Sequence, residues 1–184
     1  MKPDRLLIIG GSAGSLSMVL RLLPLFKKRD RLCVILVFHR KDSEMSLADL
    51  LNQRTQLTVK EAEDKEELQY DTIFIAPGDY HLLIEKNGML SLDDSEKVNH
   101  SRPSIDVTFE SAAEVYGENL TCILLSGANS DGAQGLLAVK NAGGKVIIQS
   151  PKSAEVSFMP QQALNIVEPD LLLDENNMNL IFSI

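Results

Sequence analysis

The chain has 184 residues, 44% of them hydrophobic, with a formal net charge of −8 at pH 7. That length suits one domain with a proper core, and the acidic balance argues against nucleic acid or an anionic membrane surface as the main partner. No apolar run approaches the roughly 18 residues of a membrane span, and the first one stops too early for a secretory signal. The expectation is a soluble, cytoplasmic protein without membrane insertion.

In chain order, residues 6–9 read as a short buried strand that runs into Gly10-Gly11-Ser12-Ala13-Gly14-Ser15. Leu16, Val19, Leu20 and Leu23 then repeat at helical spacing. Residues 32–38 and 72–76 read as further strands, with a weaker one at 57–60. The charged stretch 61–67 reads as a solvated helix or loop. In "HLLIEKNGMLSLDD", Asn87-Gly88 separates two extended pieces, the pattern of a β-hairpin. Ile105, Phe109, Ala112, Ala113 and Tyr116 mark a helix, and residues 120–126 a strand. Asp131-Gly132 opens a helix over 133–141 that ends at Gly143-Gly144, before a strand at 145–149. Cys33 and Cys122 lie inside apolar runs and read as buried free thiols, not a disulfide or metal pair. Strands alternating with helices imply one doubly wound α/β domain over 1–184. Its sheet is mainly parallel with helices on both faces, and a small antiparallel hairpin makes an excursion from it.

In such a sheet, chemistry gathers at the carboxyl ends of the strands, and the first βα turn is the usual place. Gly10, Gly11 and Gly14 do not fit the G-x-G-x-x-G spacing of a dinucleotide site. No lysine completes a phosphate-binding P-loop. Gly10-Gly11-Ser12-Ala13-Gly14 does match the G-x-S-x-G nucleophile elbow, in a strand–turn–helix setting. A serine there points its hydroxyl out of the sheet, and the N–H groups of the following helical turn favour a developing oxyanion. A plain structural turn is the competing reading.

A nucleophilic serine needs a base, and the base needs an orienting group. The chain has three histidines. His39 ends the second strand, at the same sheet edge as Ser12 if the two strands are parallel. It is the favoured base, and His81, which opens the hairpin, is the second candidate. His100 sits in a polar loop. Asp131 follows the strand at 120–126, at the same edge. Alone it reads as a helix cap; beside Ser12 and His39 it reads as the orienting carboxylate. The chain order Ser, His, Asp differs from that of the α/β-hydrolases.

These segments together resemble the catalytic domain of chemotaxis-type protein-glutamate methylesterases. The family's I-G-x-S-x-G-G is similar to Ile9–Ser15, its Q-H-M to Phe38-His39-Arg40, and its A-P-G-D to Ala76-Pro77-Gly78-Asp79. Its N-R-H-R-P-S-V-D-V is close to residues 99–107, and its G-M-G-x-D-G-A to residues 127–133. A late Met-Pro recurs at Met159-Pro160. The resemblance implies a parallel α/β fold with Ser12, His39 and Asp131 as catalytic groups, and no metal or cofactor. It also implies hydrolysis of glutamate γ-methyl esters on a methylated chemoreceptor, with glutamine deamidation in some members. Backbone N–H groups of Ala13 and Ala128 would support the oxyanion. This chain departs from the pattern at Ala13, Ser15, Phe38, Arg40, Ala128 and Asn129, which motivates a second reading as a catalytically degenerate binding or scaffolding module. Ser12 stands near the start, so no receiver domain is expected before it.

Overall fold

Runs such as Leu-Leu-Ile-Ile, Cys-Val-Ile-Leu-Val-Phe and Leu-Thr-Cys-Ile-Leu are too apolar to face water on either side. They become the fully covered central strands of a parallel sheet. The computed structural model describes residues 3–28, 31–39 and 47–183. Its elements begin with strand β1 (Leu6–Gly11), helix α1 (Ser15–Leu22), β2 (Cys33–Phe38), α2 (Leu47–Asn52), β3 (Thr58–Glu61) and β4 (Thr72–Ile75). Next come the hairpin β5 (His81–Ile84) and β6 (Leu90–Asp93), α3 (Ile105–Tyr116), β7 (Leu120–Leu124) and α4 (Ala133–Asn141). The chain closes with β8 (Lys145–Gln149), α5 (Phe158–Leu164), β9 (Leu171–Leu173) and a 3-10 turn, Met178–Phe182.

Seven strands form one parallel sheet in the order β3-β4-β2-β1-β7-β8-β9, and β5 pairs with β6 antiparallel. The chain winds outward from β1 in one direction through β2 and in the other through β7, so the strand order reverses between β1 and β7. Alternate residues of each strand feed two cores. Ile8, Ile35, Cys122 and Ile148 face α3, α4 and α5, together with the hairpin residues Leu82 and Leu90. Ile9, Leu36, Ile123 and Ile147 face α1 and α2. Phe109, fully buried on the inner face of α3, is worth about 2–3 kcal/mol by removal of its ring from water.

Helix α3 lies close over the end of β1 because Gly10 has no side chain there. A Cβ at Gly10 would fall 2.5 Å from Ile105 Cγ2. The hairpin is bound to the same helix by side chains of α3: Thr108 Oγ1 donates to the Leu82 carbonyl (2.8 Å) and Ser111 Oγ accepts from the Ile84 N–H (3.1 Å). Helix α3 therefore joins the sheet, the hairpin and the edge where β1 ends.

The fold class expected from the alternating pattern is the one observed. Differences are local. β1 continues two residues into the glycines, where Gly10 and Gly11 pair with Val37 and Phe38 of β2. Residues 62–67 form no helix, and Ala62 and Leu68 anchor this charged segment to the core. Strand β9 and helices α2 and α5 had no sequence expectation. Cys33 and Cys122 are free and buried on β2 and β7, with β1 between them. Burial pushes the Cys33 thiol up to about 12. Among the described residues no helix is long and apolar enough to cross a membrane.

Candidate active site

The strand order reverses between β1 and β7, and the carboxyl edge at such a reversal is where ligands of open α/β sheets bind. Register places the site residues there. Gly11 pairs with Phe38, and the His39 N–H donates to the Gly11 carbonyl (3.3 Å), so Ser12 and His39 leave the sheet side by side. The Ser12 N–H donates to the Ser126 carbonyl beyond β7 (2.9 Å). The turn then needs Gly14, which caps α1 at φ 76° and whose Cβ would lie 2.5 Å from Glu155 Cβ. Ser15, a departure from the family pattern, is buried and fits: its hydroxyl donates to the Ser12 carbonyl (2.7 Å). The Ser126 hydroxyl locks the turn from behind, donating to the Ala13 carbonyl (2.7 Å) and accepting from the Val156 N–H (2.9 Å).

His39 Nε2 lies 2.7 Å from Asp131 Oδ2, with His39 largely covered and Asp131 fully buried. A carboxylate only accepts, so Nε2 carries the proton and Nδ1 is left as the basic atom. Asp131 is held by four further donors. Oδ1 accepts from Ser104 Oγ (2.8 Å), Asn99 Nδ2 (3.0 Å) and the Asp106 N–H (3.2 Å), and Oδ2 also accepts from the Ile105 N–H (2.7 Å). Two of these are the first free N–H groups of α3, so the carboxylate also closes the positive end of that helix. Burial pushes the Asp131 carboxyl up, but bonds from His39, Asn99, Ile105 and Ser104 outweigh it and hold it at about 2.

The second candidate base, His81, is fully engaged elsewhere. Its Nδ1 accepts from the Ser104 N–H (3.1 Å) and its Nε2 donates to the Glu96 carbonyl (2.9 Å), which clips the hairpin to the start of α3. His100 is exposed. Among the described residues the Ser12 hydroxyl and the Ala13 and Ala128 N–H groups make no hydrogen bond, and Ala13 and Ala128 are exposed. Arg40 lies outside the described residues. Asn129, another departure, turns its side-chain oxygen to accept from the Asp131 N–H (3.2 Å).

Three residues around Asp131 had no assigned role in the sequence reading: Asn99, Ser104 and Asp106. Ser104 caps α3, accepting from Val107, and an "R-P-S-I-D-V" run carries that signal. Asp106 is buried; Oδ1 accepts from the Gly135 N–H (2.6 Å) and Oδ2 from Asn99 Nδ2 (2.8 Å). Burial, with the Asp131 charge beside it, raises its carboxyl to about 6. A separate cavity of about 420 Å³ opens at the opposite, amino edge of the sheet, lined by Asp4, Arg5, Arg31, Tyr70 and Phe182 among others, far from this chemistry. Among the described residues no group of three or more histidines, cysteines or carboxylates is placed to hold a metal ion.

The family model for the CheB methylesterase matches residues 7–179. The chain belongs to the CheB methylesterase family. A crystal structure of the Thermotoga maritima CheB methylesterase catalytic domain superposes with a TM-score of 0.90 at 33% identity, covering 97% of this chain and 96% of that one. A relative from Leptospira interrogans is 40% identical over 179 residues, 96% of this chain and 92% of its own. The Thermotoga maritima and Escherichia coli K12 proteins named protein-glutamate methylesterase/protein-glutamine glutaminase are each 35% identical over 173 residues. This CheB-family chain spans about half of their length: 50% and 48%.

Proposed function

We propose that this chain is a serine hydrolase that removes methyl groups from glutamate γ-methyl esters, with Ser12 as nucleophile, His39 as base and Asp131 as orienter. The observation that carries the reading is the 2.7 Å His39–Asp131 pair, fixed beside Ser12 by the β1–β2 register. Ser12 Oγ attacks the ester carbonyl carbon as its proton passes to His39 Nδ1, while Nε2–H stays on Asp131. The carbonyl electrons move onto the oxyanion, which the N–H groups of Ala13 and Ala128 would stabilise. As the tetrahedral intermediate collapses, Nδ1–H protonates the leaving methoxide and methanol departs. Water, deprotonated by Nδ1, then attacks the acyl-serine; the proton returns to Ser12 and free glutamate is released. A glutamine side chain would follow the same steps with ammonia leaving, in line with the second activity in the relatives' names. The expected partner is a methylated chemoreceptor at its cytoplasmic side.

The chemistry needs neutral imidazole, so turnover falls on acidification. Asp131, held at about 2, stays ionised throughout that fall and is not its source. The departures Ser15 and Asn129 make hydrogen bonds within the site, which favours an active enzyme over a degenerate module. The expected result is methanol release from methylated chemoreceptor at catalytic turnover. Receptor methylation unchanged after prolonged incubation with stoichiometric protein would leave only a binding role.

A further inference from the structure

We propose that Asn99 is a positioning residue for the reaction, its amide bridging the carboxylates of Asp106 and Asp131 so that Asp131 stays aimed at His39. The proposal rests on the roles assigned above to Ser12, His39 and Asp131.

The bridge starts in the backbone. Val98 and Ser101 exchange hydrogen bonds (3.2 and 2.9 Å) around a two-residue turn in which Asn99 and His100 have φ of 50° and 62°. Two consecutive left-handed residues define the tight hairpin turn in which asparagine is favoured. The turn carries the Asn99 side chain to the start of α3. There Nδ2 donates to Asp106 Oδ2 at 2.8 Å and to Asp131 Oδ1 at 3.0 Å. A primary amide nitrogen has two hydrogens, and this one has two acceptors on different carboxylates. Each acid is also tied to backbone, Asp106 to Gly135 and Asp131 to Ile105 and Asp106. Asn99 is the side chain shared between them.

Two buried carboxylates this close repel, and a donor between them offsets that repulsion. The titratable groups facing the pair are His39 from the end of β2, Glu110 one turn along α3, and His81 of β5 behind the Ser104 N–H. Without the Asn99 donor, Asp131 would keep its contacts with the helix but would be freer to tilt. Its excess negative charge would also fall more heavily on His39. Two separable effects follow: the base is less well oriented, and its protonated form is favoured.

Asn99→Gly is the clean variant, because glycine keeps the left-handed backbone and removes only the amide. It is expected to lower kcat for methanol release about tenfold, the value of one hydrogen bond to a charged group, with KM little changed. The acid limb of the pH–rate profile moves to higher pH. Asn99→Asp, which replaces the donor with a third carboxylate, loses more. Thermal melts confirm that each variant is folded. The proton NMR signal of the His39 Nε2–H, read without substrate, shifts in Asn99→Gly. Wild-type kcat in Asn99→Gly, or a lowered kcat with an unmoved acid limb and an unmoved Nε2–H signal, overturns the positioning role. If the wild-type chain releases no methanol, the assigned reaction fails. The Nε2–H signal still decides whether Asn99 holds the pair.

Discussion

Replacing Ser12 with alanine is expected to cut methanol release by about 10⁴-fold or more while leaving thermal stability nearly unchanged. The two effects separate because, among the described residues, every bond that Ser12 contributes to the fold comes from its backbone. Its N–H reaches Ser126 and its carbonyl accepts from Ser15, and both survive in alanine. Among the described residues the hydroxyl makes no hydrogen bond, so its loss orphans none of their polar groups. Steady-state methanol release, paired with a thermal melt, checks this. Turnover within tenfold of wild type would remove Ser12 from the mechanism.

Asp131→Asn is expected to damage both activity and stability, since one side chain serves both. Activity falls about 10⁴-fold because an amide facing Nε2 no longer selects the tautomer with a basic Nδ1. Stability falls by about 3 kcal/mol. One of the two oxygens becomes a donor and is set against donors: Ser104 Oγ, Asn99 Nδ2 and the Asp106 N–H on one side, or the Ile105 N–H on the other. The pH dependence has a definite sign. The folded Asp131 carboxyl sits at about 2, below its unfolded value of about 3.9. Its stabilisation is therefore fully present well above pH 4 and is lost as pH falls toward 2. The gap in unfolding free energy between wild type and variant, present at pH 7, narrows as pH falls below about 4 toward 2. Urea denaturation across that range measures it, and equal midpoints at pH 7 would contradict the capping role of Asp131.

The parts of the fold legible in the sequence were those set by short-range pattern. β1, β2, β4 and β7 are doubly covered strands, so each stands out as an apolar run between turn residues. Asn87-Gly88 announced the hairpin because its glycine suits the left-handed position of the turn, where Gly88 has a φ of 83°. Strand β9 has three residues, of which only Leu173 is buried, which leaves no period to detect. Helix α5 carries Pro160 near its start, a residue that reads as a break until its place in the first turn is known.

The site divides in the same way. Ser12 stood out through its glycines, and His39 and Asp131 through their places after strands. The register then brought His39 beside the Ser12 turn, and the tertiary packing brought Asp131 to His39. Asn99 and Asp106 were illegible as site residues because their meeting depends on α3 settling over Gly10, a contact with no local signature. His81 was a reasonable second base by position. Only the structure shows both its nitrogens spent on Ser104 and Glu96.

The central claim is that Ser12 is an activated nucleophile. It is tested most directly by treating the folded chain with a serine-reactive phosphonate and mapping the adduct by mass spectrometry. The account predicts one adduct per chain, on Ser12, formed far more slowly in His39→Ala. No adduct, or one on another residue formed equally fast without His39, would contradict it.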